Sequence, residues 1–323
     1  MLPVREKKVL VKPRALRPGD RVALVAPSSR PKSPSVVASA ERIVRDMGFE
    51  PVLGKYVSAT HGFMAGTDEQ RLEDLAGFFA DESIAGIFCL SGGYGATHLL
   101  PLLDYDAIGS APKLFVGCDD NTVLLNALYE RAGLVTFHGP NLDEVESLAT
   151  FDRFRAAVTS TEILPSIEPC FGDVDARKLD KTFHCPVAGD VEGHIVGGNL
   201  TALVTLLGTP FEPRFSGAVV VLDDIHEQTG MLDRWFTTLY LAGHLQTCRG
   251  VAFGAFHDCG PKDSWNMLSV MEVFADRLKY LGTPSCFGLP WGQTKETTIV
   301  PIGIHSRLSA SLGRLEFAEP ALS

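Results

Sequence analysis

Two acidic pairs carry the side chains best suited to chemistry. Asp119-Asp120 follows the apolar run Lys113–Gly117, and Asp223-Asp224 follows Ala218–Leu222. If Asp119 and Asp223 meet in a shielded cleft, they can hold split pKa values, so that one gives a proton and the other takes it. That is the minimum equipment for proton transfer, elimination, cyclisation or isomerisation. Such a dyad could also bind a cationic amine without any reaction. Other reactive groups lie close in sequence. Cys118 precedes Asp119 and reads as a buried thiol rather than a nucleophile. His138, in His138-Gly139-Pro140, reads as structural or as support to a site. His226 neighbours Asp224 and Glu227, yet no HxxxH or facial carboxylate pattern accompanies it, so it reads as a surface residue and not a metal ligand. Lys295 and Glu296 read as a solvated loop.

Elements must carry these residues to one place. Apolar runs at Arg21–Ala26, Pro51–Leu53, Ala85–Leu90 and Lys113–Gly117 predict strands. Helical spacing over residues 34–47, 68–79 and 96–103 predicts helices between them. The repeated strand–loop–helix order implies a parallel sheet covered on both faces. Residues 141–187 are less regular, with Pro165, Pro169, Gly172 and Pro186, and read as a crossover. A second half begins at Gly189, with helices over 200–207, 231–242 and 265–280 and strands at 218–222, 250–253 and 299–302. The expected division is 1–150, 151–187 and 188–323.

Ligands of open parallel sheets bind where loops leave the carboxyl ends of strands. Three glycine-bearing loops occupy such places: Ser91–Gly95, Gly117–Thr122 and Gly197–Asn199. Each alone could be a tight turn, but three together point to a ligand. The binding candidates are Gly92, Gly93, Tyr94, Asp120, Gly198 and Asn199. No loop matches GxGxxG or GxxxxGK[ST], so no nucleotide cofactor is expected.

The bulk composition excludes several classes. The 323 residues suit two domains of ordinary size. A net charge of −10 argues against nucleic acid or an anionic membrane surface as partner. The basic stretch Arg5–Arg17 reads as a frayed arm. Seven cysteines, including Cys170, lack any CxxC spacing, which predicts reduced thiols and no structural metal. No segment reads as a signal peptide or a transmembrane helix. Cytoplasmic location is the expectation.

Together, several segments resemble the LD-carboxypeptidase family of serine peptidases, which includes the microcin C immunity peptidase. The matching pieces are Ala65-Gly66-Thr67-Asp68 with Gln70-Arg71, Gly92-Gly93-Tyr94-Gly95, Leu103-Asp104-Tyr105 and His138-Gly139-Pro140. Later come Gly197-Gly198-Asn199-Leu200, Gly208-Thr209-Pro210, Asp224 with Glu227, Asp233-Arg234 and Pro301-Ile302-Gly303. The resemblance implies an α/β fold, with an N-terminal parallel-sheet domain, a C-terminal swivelling β/α domain and a cleft between them. It also implies a homodimer and cleavage of amide bonds before a D-configured residue in murein peptides, or of related acyl-amino-acid bonds.

This chain departs from the family where the chemistry would lie. Asp119 stands at the family's nucleophilic Ser, Asp223 at its Glu and Gln293, in Pro290-Trp291-Gly292-Gln293, at its His. Ser91 replaces the usual Arg. A serine hydrolase needs a hydroxyl and a base, and Gln293 cannot accept a proton at neutral pH. Losing nucleophile and base lowers triad activity about a million-fold. Asp119, Asp223 and Gln293 are expected to converge on the interdomain cleft. Three readings remain open: a repurposed enzyme using Asp119 and Asp223 on an amino-acid-derived or peptide-like molecule, a catalytically silent binding or regulatory protein, and an altered amidohydrolase.

Overall fold

A computed structural model describes residues 9–142, 145, 147–169, 183–260, 268–294 and 296–323. Cys170, Gly172, Lys295 and the predicted helix start at Trp265 lie outside the described residues. In the first half, strands β1 (Arg21–Val25), β2 (Glu50–Leu53), β3 (Ile84–Cys89), β4 (Leu114–Gly117) and β5 (Thr136–His138) alternate with helices α1 (Pro34–Asp46), α2 (Asp68–Ala80), α3 (Tyr105–Ser110) and α4 (Thr122–Ala132). The helix α5 (Leu148–Thr159) follows. The second half holds β6 (His184–Val187), β7 (Asp190–Asn199), α6 (Leu200–Val204), β8 (Ala218–Ile225), α7 (Thr229–Leu241), α8 (His244–Thr247), β9 (Gly250–His257), α9 (Val270–Leu281), β10 (Ser285–Phe287), β11 (Val300–Ile302), β12 (His305–Ser309) and β13 (Arg314–Phe317).

Two sheets result, which makes the chain a mixed α/β protein. The first has the order β11-β5-β4-β3-β1-β2 and is parallel except for β11, which runs antiparallel to β5. The second has the order β13-β12-β7-β8-β9-β10-β6, with a parallel centre from β7 to β10. Strands β3 and β4 are buried along their whole length, as near-continuous apolar runs require when both faces are covered. Helix α2 starts at a capping box in which Thr67 and Gln70 satisfy each other's backbone donors.

Several elements differ from expectation. The stretch after residue 141 contains α5, capped by the Ser147 side chain and buried through Phe154, Ala157 and Val158. Residues 96–102 form a 3-10 helix, because Pro101 cannot continue an α-helical ladder. The basic arm is held from Val11 onward. Val11 bridges to Leu134, Lys12 pairs with Glu319 and Ala15 bonds to Ser323. Strand β11 comes from the expected C-terminal stretch yet closes the edge of the first sheet.

One buried cluster runs from Val22, Phe88 and Phe137 of the first half to Ile195, Val221 and Trp291 of the second. A separate cluster on the other face of the second sheet centres on Phe253, whose ring stacks on Phe287 with centroids 4.0 Å apart. Asn126 of α4 bonds both ways with Gly197 of β7, its amide donating to the carbonyl at 2.8 Å and its carbonyl accepting the N–H at 3.1 Å. The two halves therefore share polar as well as apolar contacts.

Candidate functional site

Strand β4 leads into an elbow. Cys118 is extended and buried, and Asp119 follows at φ 55°. Left-handed backbone is uncommon for a side chain other than Gly and persists where surrounding contacts enforce it. Those contacts are visible. Asn121 donates to the Ser91 carbonyl at 3.1 Å and to Asn141 Oδ1 at 3.2 Å, while its own oxygen accepts from Ser28 Oγ. Asn141 Oδ1 also takes the Cys118 N–H. All four side chains in this frame are buried.

The Ser91–Gly95 loop faces the elbow closely. Gly93 N–H donates to Asp119 Oδ2 at 2.7 Å. A Cβ on Gly92 would overlap the Asp119 carboxylate, and one on Gly93 would overlap Ser29 Oγ. Glycine is thus required at both positions for backbone to approach Asp119. Tyr94 stands on the rim, 68% exposed, with its ring edge-on to Phe63 at 5.8 Å. Asp120 is buried. Its Oδ2 accepts Ala96 N–H at 2.8 Å, and burial pushes its carboxyl above the usual range.

The second domain contributes the ends of β7 and β8, paired at Asn199 and Asp223. Asn199 N–H donates to Thr122 Oγ1 at 3.0 Å, which ties β7 to the first residue of α4. Gly198, at φ 123°, lies so close that a Cβ would press on the Thr122 side chain and reach 3.2 Å from His138 Nδ1. Asp224 is the organiser here. Its oxygens accept from Asn199 Nδ2, Ile225 N, Thr201 N and Thr201 Oγ1 at 2.8–3.0 Å. Burial still dominates and pushes its carboxyl up to about 7.

Asp223 is buried and its Oδ1 lies 3.2 Å from His138 Nε2, which is equally buried. The contact is close in distance but poorly aligned as a hydrogen bond, and both atoms lack a better partner. The sequence reading gave His138 only a supporting place. Neither its spacing nor its motif shows that β5 would carry it to the end of β8. A Cβ on Gly292 would overlap Asp223 Oδ2, so the Pro290–Gln293 loop packs directly on this carboxylate. Gln293 follows, half-buried, and its amide makes no hydrogen bond with another described residue.

Hydrogen bonds link Gly93 to Asp119 and Asn199 to Thr122, His138 lies against Asp223, and Gly198 and Gly292 leave no room for a Cβ beside Thr122 and Asp223. Asn121, Asn141, Thr122 and Thr201 are framework residues that sequence reasoning missed. The cues were that Asn121 and Thr122 lie within the Gly117–Thr122 loop, that Asn141 follows His138-Gly139-Pro140, and that Thr201 lies just after Gly197–Asn199. His226 is exposed and turns toward Asp258, 3.6 Å away, rather than toward Asp224. Glu296 is exposed, as a solvated loop requires. Among the described residues no group of three His, Cys, Asp or Glu could hold a metal ion. The described cysteines are free thiols, and no described helix is long and apolar enough to cross a membrane.

Comparison with known proteins agrees with this architecture. The LD-carboxypeptidase N-terminal domain matches residues 22–139, and the LD-carboxypeptidase C-terminal domain matches residues 192–308. A probable murein peptide carboxypeptidase of Bacillus subtilis strain 168 is 33% identical over 306 residues, covering 93% of this chain and 92% of that protein. The murein tetrapeptide carboxypeptidase of Pseudomonas aeruginosa is 32% identical, covering 88% and 91%. A structure of the self immunity protein MccF with aspartyl sulfamoyl adenosine superposes with a TM-score of 0.81 at 24% identity, covering 97% of this chain and 100% of that one, and supports the fold alone. With both domains matched across most of its length, the chain belongs to the LD-carboxypeptidase family.

Proposed function

We propose that this protein is a repurposed member of its family, in which the serine triad is replaced and Asp119 and Asp223 transfer protons on an amino-acid-derived or peptide-like molecule. The observation that carries the reading is the left-handed backbone of Asp119, kept at an elbow where glycine would be easier. The site invests strain in aiming a carboxylate. Asp223, buried between His138 and Gly292, supplies the second carboxylate from the other domain. Gln293 serves as a neutral hydrogen-bonding group, and Gly92, Gly93, Tyr94, Asp120, Gly198 and Asn199 shape the cleft. The related peptidases act on murein peptides by their names, and a structure of MccF holds aspartyl sulfamoyl adenosine. A small peptide-like ligand is the corresponding reading here. Location in the cytoplasm and a homodimer follow the same family expectation.

A second reading, a silent binder, draws on one contact. Gly93 N–H is already taken by the Asp119 carboxylate, so this donor is not free for the oxyanion of acyl transfer. The altered-amidohydrolase reading is weakened by the same contact and by the lack of a base at Gln293.

Asp119→Asn separates the two. The amide is nearly isosteric but takes no proton at neutral pH. If Asp119 transfers a proton, the variant keeps ligand affinity and loses turnover by about a hundredfold or more. If it only binds a cationic group, affinity falls by about 1.5–3 kcal/mol. Mass spectrometry of the purified protein identifies a carried ligand, and calorimetry with turnover on both forms follows. Unchanged binding together with unchanged turnover removes Asp119 from the site.

A further inference from the structure

A cavity of about 190 Å³ lies at the other end of the two elements that build the candidate site. Tyr129 and Glu130, near the end of α4, and His194 of β7 line it, with Arg214, His305 and Glu319. Along α4 it stands about 11 Å from Thr122, and along β7 about 16 Å from Asn199. Groups of both charges meet there with bonding capacity to spare. The Glu130 side chain is only 4% exposed and takes the Arg214 backbone N–H at 2.8 Å. Its second oxygen stands 3.8 Å from the Arg214 guanidinium, beyond hydrogen-bond distance. That guanidinium makes no hydrogen bond with a described residue, although it has five donors. Burial pushes the Tyr129 phenol up to about 12, with Glu130 adding to the shift, so the hydroxyl stays a donor.

We propose that this cavity binds a small zwitterionic α-amino acid, its carboxylate on Arg214 and its ammonium on Glu130. A simple anion would meet a buried carboxylate, and a simple amine would meet the guanidinium. A molecule carrying an ammonium and a carboxylate on one carbon satisfies each. The volume equals that of about six waters, the heavy-atom count of alanine. Glu319 does not compete for the ligand, since Lys12 and the His305 N–H already hold it.

The test is calorimetry on the full chain with L-alanine, D-alanine, propionate and ethylamine as probes. At least one alanine enantiomer should bind, with propionate and ethylamine about tenfold weaker or more, since each lacks one charged contact. Glu130→Gln and Arg214→Gln should each weaken alanine by about tenfold or more. His305→Trp should block the cavity. Alanine should move the ¹³Cε1 signals of His194 and His305 and leave that of His138 in place, which separates this cavity from the cleft. Should Glu130→Gln fail to fold, Arg214→Gln alters a partly exposed group and keeps the test. No binding of either enantiomer at millimolar concentration overturns the proposal. So does propionate binding as well as alanine, or affinity unchanged by both charge variants.

Discussion

Asp119 and Asp224 show two ways a carboxylate can be held at one site. Asp119 is aimed by strained backbone, with one oxygen on Gly93 N–H. Asp224 is sunk in a ring of four donors and serves architecture, fixing Asn199 at the start of α6. Its acidity has a thermodynamic consequence. Because burial raises its pKa in the folded chain to about 7, the fold binds a proton there that the unfolded chain has released. The stability that Asp224 contributes is complete below the unfolded carboxyl range and is lost as pH rises toward about 7. Urea unfolding at about pH 5 and about pH 8 should show this loss, and Asp224→Asn should shrink it. The variant should also cost about 1–3 kcal/mol at the lower pH, since it puts two amide hydrogens among these donors where the protonated carboxyl has one. An equal pH dependence in both proteins would contradict the assignment.

At the scale of elements, the cleft depends on how closely β7 lies beside its neighbours. Gly197, at φ 131°, pairs with Val221, and a Cβ there would fall on the Val221 carbonyl oxygen. Gly197→Ala should therefore destabilise by about 3 kcal/mol, measured by chemical denaturation, and a change within about 0.5 kcal/mol would refute this packing. The same glycines explain what the sequence hid. Buried runs such as Ile84–Cys89 announce their strands because both faces are apolar. The end of β7 reads as a turn because Gly197-Gly198 lacks side chains, although it is continuous strand to Asn199. Helix α4 is buried on nearly every side, so no polar face marks its period. Asp119 and Asp223 were legible from residue type and the positions they fill. The approach of His138 to Asp223 was not, because it depends on the pairing of β4 with β5 and of β7 with β8 across two sheets.

For the whole molecule, the shared core and the Asn126–Gly197 clamp make the halves one cooperative body. Calorimetry should give a single endotherm whose van't Hoff and calorimetric enthalpies agree, and two resolved transitions would show independent domains. The placement of β11 adds a mechanical consequence. The chain leaves the second sheet at Phe287 and enters the first at Val300, so the loop carrying Gln293 is a tether anchored at both ends. Trp291 pins its middle against Gly254, and Gly292 rests on Asp223. Sliding of one sheet against the other would load this span on one side of β11 and Gly303-Ile304, which lead straight back to β12, on the other, so Gln293 would register a change in how far the jaws stand apart.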